Sequence, residues 1–220
     1  MIGNEDSYYL RPECSNSDFT KLDSYFKDSQ WVMDLTTAFR MGNLVDAMIT
    51  EQHRVDHYRM MVDQEQFTKE EWDQCMKMYR VGEKDPIMKQ MMIMCNGQAI
   101  KVREIELEYC GFKFKILMRC KFDFWSDALN WGAELKTTAA TTQKGFEEAC
   151  YHFNYDRACA VYMNIAESER HMIMGISKVN HKIFKIAVNR ESEFYKSGME
   201  KFREIAFKHW TLFDNLIISS

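Results

Sequence analysis

The sequence predicts an α+β fold, and three observations carry that prediction. A run from Phe112 to Phe124 alternates strictly. Phe112, Phe114, Ile116, Met118, Cys120, Phe122 and Phe124 share one face, and Lys113, Lys115, Leu117, Arg119, Lys121 and Asp123 the other. Period two sustained over that length marks a half-buried β-strand. The stretch ahead of it carries helix-start signals instead, and the chain closes on Phe194, Met199, Phe202, Ile205 and Ala206, apolar at helical spacing. Nine glycines and two prolines in 220 residues, with 14% aromatics, exclude a collagen-like or disordered chain.

The elements follow in order. Ser15-Asn16-Ser17 offers N-caps for a short helix through Tyr25 and Phe26. A second helix is expected from about Met33 to Ile49, with Leu35, Phe39, Val45 and Met48 as its buried stripe. Thr68-Lys69-Glu70-Glu71 reads as a capping box opening a helix to about Arg80. Asp85-Pro86 opens another, since proline is tolerated where the amide has no helical partner, and Asn96-Gly97 ends it. Val102 to Tyr109 is expected to pair with the long strand through a Cys110-Gly111 turn. That register sets Glu108 opposite Lys113 and Glu106 opposite Lys115. A strand at about Trp131–Thr137, a helix from Gln143 through Tyr162, strands at Arg170–Lys178 and Lys182–Val188, and a helix from Glu191 to Phe213 complete the chain.

Composition narrows the function. With 29 basic and 33 acidic side chains the net charge is −4, which excludes a non-specific polycation but leaves room for a local basic groove. Seven cysteines without a Cys-x-x-Cys pair argue against a zinc site or a disulfide framework and point to a reducing cytoplasm. No apolar run approaches the roughly 18 residues of a spanning helix, so no membrane partner is expected, and the acidic, polar stretch Met1–Tyr9 does not read as a secretory signal. His53 and His57 sit four apart and suit either one ion or a solvated helix face. Trp125 and Trp131 suit base stacking or simple packing.

Asp123, Glu134 and Lys136 stand out as a chemical set. Glu134 and Lys136 are two apart on a strand and share a face, and a strand–turn–strand connection can bring Asp123 beside them. Two carboxylates and a backbone carbonyl, here that of Leu135, suit a hard cation such as Mg²⁺ or Mn²⁺ that keeps several waters. A lysine alongside can orient an attacking water or stabilise charge on a phosphorane-like transition state, the combination that metal-assisted phosphodiester hydrolysis needs. The same residues also suit a surface ion pair between strands. Arg119 and Lys121, lacking obvious cross-strand acids, are the phosphate candidates on the outward face.

The run Leu117 to Asp123, then Glu134-Leu135-Lys136-Thr137-Thr138, then Phe146 through Tyr162 with Tyr155-Asp156-Arg157, resembles the PD-(D/E)XK nucleases. The similar branch is the phage-type recombination exonucleases like exodeoxyribonuclease VIII, and Tyr8-Tyr9, Ser15-Asn16-Ser17 and Phe39-Arg40-Met41-Gly42 extend the likeness. The resemblance implies a restriction-endonuclease-like core, a central mixed sheet flanked by helices. It also implies a single domain over residues 1–220, helical in 1–97 with the catalytic core in 98–220. It implies a metal-dependent nuclease acting on DNA, at duplex ends in recombination or phage replication, with homo-oligomers and a single-strand annealing protein as further partners. Asp123 and Glu134 would be metal-binding carboxylates and Lys136 the catalytic lysine. Tyr162 would match the tyrosine of the family's Gln-x-x-x-Tyr helix, and Thr137 would line the substrate. Glu104 falls where relatives place a further acid, or is simply part of an exposed Glu104-Glu106-Glu108 face.

Three departures from the pattern stand in this sequence. Phe122 replaces the motif's proline. Ala158 replaces the glutamine, with Arg157 as a neighbour able to compensate. Asp46, four residues after Gly42, replaces a histidine and can still offer an oxygen to a hard cation. The rival expectations are a nuclease-fold nucleic-acid-binding or interaction protein with weakened catalysis, and an endonuclease, since the metal site itself does not choose ends over interior bonds.

Overall fold

The computed structural model describes residues 8–26 and 36–214. Helix α1 (Asn16–Phe26) starts at a reciprocal cap: the Ser15 amide and hydroxyl donate to Asp18 Oδ2 at 3.0 and 2.7 Å. Helix α2 (Thr36–Thr50) buries Leu44, Val45, Ala47, Met48 and Ile49. Phe39 is 64% exposed, so the buried stripe begins at Met41 rather than Phe39; Met33 and Leu35 lie outside the described residues. A 3₁₀ turn (Gln52–Arg54) leads into a small antiparallel sheet of β1 (Val55–Asp56), β2 (Met61–Val62) and β3 (Glu65–Gln66). His53 is thus on the turn and His57 just past β1, its ring 5.6 Å from Trp72, and the two do not share a helix face.

Helix α3 (Lys69–Lys84) has the expected capping box, and α4 (Pro86–Met94) is capped by the Asp85 carboxylate, which accepts from the amides of Ile87 and Met88 at 3.1 and 3.0 Å. Strands β4 (Asn96–Tyr109) and β5 (Phe112–Ser126) form the long hairpin in the expected register, with Glu108 opposite Lys113 and Glu106 opposite Lys115. Cys110 and Gly111 both take positive φ, 51° and 81°, as a tight turn matched to the strand twist requires. Strand β6 (Trp131–Thr138) follows, then α5 (Gln143–His152) and α6 (Tyr155–Ala166); the single helix expected here breaks at Asn154, which sits at φ 56°. Strands β7 (Arg170–Ser177) and β8 (Ile183–Asn189) and helix α7 (Glu193–His209), extended by a π turn (Trp210–Asp214), complete the chain.

The main sheet runs β4-β5-β6-β7-β8, antiparallel throughout except for the parallel pair β6–β7, which α5 and α6 connect. It is a mixed sheet with a core on each face. Phe114, Ile116, Met118, Cys120 and Phe122 pack with α1, α5, α6 and α7, while Phe124, Ala133, Leu135, Met174 and Ile176 pack with α2, α3 and α4.

Two features of β5 create the site. It pairs with β6 only over Phe124↔Ala133, Trp125↔Gly132 and Ser126↔Trp131, after which the strands part. Farther along the freed edge, Cys14 takes over, its amide donating to the Leu117 carbonyl at 3.0 Å and its carbonyl accepting from Arg119 N at 2.8 Å. The second feature is a slip in alternation. Phe122 and Trp125 belong to one core and Phe124 to the other, so the expected shared face of Phe122 and Phe124 is corrected by one residue at Asp123. The ladder pairs Phe122 with Ala99 and Phe124 with Gly97 but skips Asp123 and its opposite number Gln98, which stands at φ 55°. Such irregularities re-aim a side chain.

Candidate active site

Asp123 points into the fork between β5 and β6, where its Oδ2 accepts the Leu135 amide at 2.6 Å. In an extended strand the amide and carbonyl of one residue face the same edge, so the Leu135 carbonyl is directed toward the fork as well. Glu134 and Lys136, on the shared face of β6, meet it there. The Lys136 ammonium donates to Glu134 Oε2 at 2.9 Å and lies 3.9 Å from Asp123 Oδ2. The ring of Tyr155, the first residue of α6, lies beneath that ammonium, 5.6 Å from its nitrogen.

Asp46 closes the group from α2. Its Oδ2 accepts from the Gln98 amide at 3.1 Å, and its Oδ1 accepts from the Thr50 hydroxyl at 3.2 Å. Burial and then the Asp123 charge raise its pKa to about 7, against the relief that Lys136 gives. Glu134 is pushed up to about 8, first by burial and then by Asp123, with Lys136 opposing. Burial raises Asp123 too, while Lys136, the Leu135 amide and Gln98 pull it back. Burial disfavours the Lys136 ammonium, yet Glu134 and Asp123 outweigh it and hold its pKa above the usual lysine range.

Three acids, Glu134 buried and Asp46 and Asp123 half-buried, share the Lys136 ammonium and form a set short of positive charge. Glu134 Oε1 is buried with no hydrogen-bond partner, an orphaned acceptor at the centre of the group. A divalent cation is the species that both satisfies such an acceptor and returns all three acids to their charged forms. Among the described residues no ready-made cage of three or more His, Cys, Asp or Glu side chains stands around a point. Two carboxylates and a carbonyl are on offer, which suits a hard ion that keeps most of its waters.

The remaining expectations divide. Tyr162 does reach the site region: its ring packs on Phe122 at 5.1 Å, and burial, then Glu134, lifts its hydroxyl far above the usual range. Thr137 is half-buried on β6, facing Gly42 of α2. Lys121 lies over the rings of Tyr8 and Tyr9 at 5.4 and 5.6 Å. Three residues are corrected. Glu104 is exposed and ion-paired with Lys115 at 3.1 Å, opposite Leu117 and well up the hairpin, so it does not join the acids. Arg119 is only 5% exposed, donating to the Arg11 carbonyl at 3.0 Å beneath the Tyr8 ring, because the segment around Cys14 covers the edge that seemed to face solvent. Arg157 is 2% exposed and donates to Asn16 Oδ1 and Thr20 Oγ1 at 3.0 and 2.7 Å, tying α6 to α1 rather than replacing the missing glutamine. Trp125 is buried, its indole donating to Asp127 at 2.7 Å, which favours packing over base stacking.

Sequence reasoning missed Gln98, Thr50 and Tyr155 as members of the site. Only Gln98 had a signal: carrying the hairpin register back from Cys110-Gly111 places it opposite Asp123.

Residues 13–210 match the family model described as "PDDEXK-like domain of unknown function (DUF3799)". No curated protein matches the sequence. Among solved structures, the chain is similar in part to "SSO0001", with 14% identity and a TM-score of 0.36 over 54% of this chain and 50% of that one. It is also similar to a "phage related exonuclease" from Haemophilus somnus 129PT, with 14% identity and a TM-score of 0.34 over 55% of this chain and 63% of that one. The chain thus spans less than two thirds of either. The family match spans the fork from which Asp123, Glu134 and Lys136 project, and the chain belongs to the PDDEXK-like family.

Proposed function

We propose that this protein is a divalent-metal-dependent deoxyribonuclease that hydrolyses phosphodiester bonds, acting as an exonuclease on duplex ends. The observation that carries the reading is the convergence of Asp123, Glu134 and Lys136 in one buried fork, with Glu134 Oε1 left without a partner. Asp123, Glu134 and the Leu135 carbonyl would hold Mg²⁺ or Mn²⁺, with Asp46 behind them. When bound, the ion supplies Lewis acidity at the phosphoryl oxygen and favours ionisation of a water. The Lys136 ammonium, held by Glu134, stabilises the charge that gathers on the phosphoryl oxygens as water attacks and the P–O ester bond breaks. Asp123 is oriented for its part by the Leu135 amide. DNA as the partner, the preference for ends, homo-oligomerisation and cooperation with an annealing protein rest on the resemblance. Among the described residues no helix is long and apolar enough to cross a membrane.

A second reading, a nuclease-fold DNA-binding protein with weak turnover, is favoured by one observation. Arg157 spends its donors on α1, so position 158 gains no substitute for the absent glutamine amide. Linear and circular duplex DNA, each with Mg²⁺, Mn²⁺ or chelator, separate the readings. Metal-dependent loss of linear DNA alone supports the exonuclease, and nicked circles would make it an endonuclease. Binding without cleavage in any metal would favour the second reading.

A further inference from the structure

The site contains a residue that neither the nuclease motif nor its departures account for. Gln98 lies on β4, directly across the hairpin from Asp123, and its backbone stands at φ 55°, a conformation that side chains other than glycine rarely adopt. Left-handed residues persist only where their surroundings hold them there. Here the surroundings are those of the acids. The Gln98 amide nitrogen donates to Asp46 Oδ2 at 3.1 Å and to Thr50 Oγ1 at 2.9 Å, which uses both of its hydrogens. The Thr50 hydroxyl in turn shares its one hydrogen between the Asp46 carbonyl at 3.0 Å and Asp46 Oδ1 at 3.2 Å, so helix and strand grip the same aspartate.

Gly97 makes the reach possible. A Cβ at that position would lie 2.5 Å from the Thr50 carbonyl oxygen, so only glycine lets the start of β4 press against the end of α2. The pair Gly97-Gln98 therefore does two things: the first residue closes the distance between strand and helix, and the second spans it with a neutral donor. A neutral amide donating to Asp46 steadies that carboxylate without bringing a fixed cation that would compete with a metal ion.

We propose that Gln98 is the positioning residue of this site, holding Asp46 turned toward Asp123 so that Asp46 serves the water shell of a bound divalent cation as a third carboxylate. The proposal rests on the metal-site reading above. It assigns Asp46 its place through β4 rather than through α2 alone, and it explains why a strained backbone is kept at a hairpin position where Asn or Gly would be easier.

The test is calorimetric Mn²⁺ titration of the full chain, wild type against Gln98→Met, Gln98→Gly, Asp46→Ala and the Gln98→Met/Asp46→Ala double variant, with a melting curve for each. Gln98→Met and Gln98→Gly are expected to weaken Mn²⁺ binding by about tenfold or more. Gln98→Gly, which relieves the left-handed strain, should melt no lower than wild type. The double variant should bind no more weakly than Asp46→Ala alone, because Gln98 acts through Asp46. Wild-type affinity in Gln98→Gly, or losses that simply add in the double variant, would overturn the proposal while leaving the metal site standing. A folded wild type that takes up no Mn²⁺ would overturn both.

Discussion

The two ends of β5 carry similar charges and do opposite things with them. At the hairpin end Lys113 and Lys115 face Glu108 and Glu106 in a regular ladder, exposed, with Lys115 reaching diagonally to Glu104. At the fork end Arg119 and Asp123 come from the same alternating face, yet both are withdrawn from solvent. The difference is the neighbour across the edge. Near its turn β5 pairs with β4 and, among the described residues, no other strand lies along its second edge, so its charges stay in water. At the other end β6 and the Cys14 segment close in, and each charge must find a partner or wait for one. A period-two pattern thus establishes the strand but does not say which of its polar residues will be costly to bury.

The largest contrast is in catalysis. Asp123→Ala or Lys136→Ala should lower the rate of DNA cleavage by about a thousandfold or more, measured on linear duplex with Mn²⁺. The same change at the other end, Lys115→Ala, should leave the rate unchanged. Equal losses at both ends would dissolve the distinction.

Stability gives the next largest. Arg119→Ala removes a buried guanidinium that holds the Arg11 carbonyl and lies 3.7 Å from Asp18. It should cost about 2–3 kcal/mol in urea unfolding, whereas Lys113→Ala should stay within about 0.5 kcal/mol.

The pH dependence sharpens the comparison further. Glu134, with its pKa raised to about 8, and Asp46, raised to about 7, hold protons in the folded state that the unfolded chain releases near pH 4. Their contribution to stability is full below that point and is lost as pH rises through 7 to 8. Asp18 and Asp85, whose pKa values are lowered in the fold, have the opposite sign and lose their contribution only on acidification. In chelator the melting temperature should therefore fall between pH 6 and pH 9, and Glu134→Gln should flatten that slope. Added Mn²⁺ should stabilise the protein most at the alkaline end. The smallest effect belongs to the turn: Gly111→Ala, at φ 81°, should cost about 1 kcal/mol without touching cleavage.

The sequence made the hairpin legible because Glu108, Glu106, Lys113 and Lys115 alternate around a glycine that can take positive φ. It made the juxtaposition of Asp123, Glu134 and Lys136 legible because Glu134 and Lys136 share one strand face and a strand–turn–strand connection brings Asp123 beside them. Arg119 and Arg157 were misread for one physical reason: α1 and the residues before it, more than 90 residues away in sequence, cover the surfaces both were expected to present. No local pattern reports a distant segment filling a sheet edge. Of the two readings open for Glu104, the exposed acidic face is the one the fold shows, because its register position, opposite Leu117, lies six residues up the strand from Asp123. Gln98 was hidden because Asn96-Gly97 read as the end of a helix, although in the fold the same glycine begins the strand that reaches the acids.

The most direct test is a crystal of the protein soaked in Mn²⁺ and measured for anomalous scattering. A peak in the β5–β6 fork, within ligand distance of both the Asp123 and Glu134 carboxylates and facing the Leu135 carbonyl, is the predicted result. A fork that stays free of manganese while the Lys136–Glu134 pair remains closed, or a peak on other residues, would contradict the account.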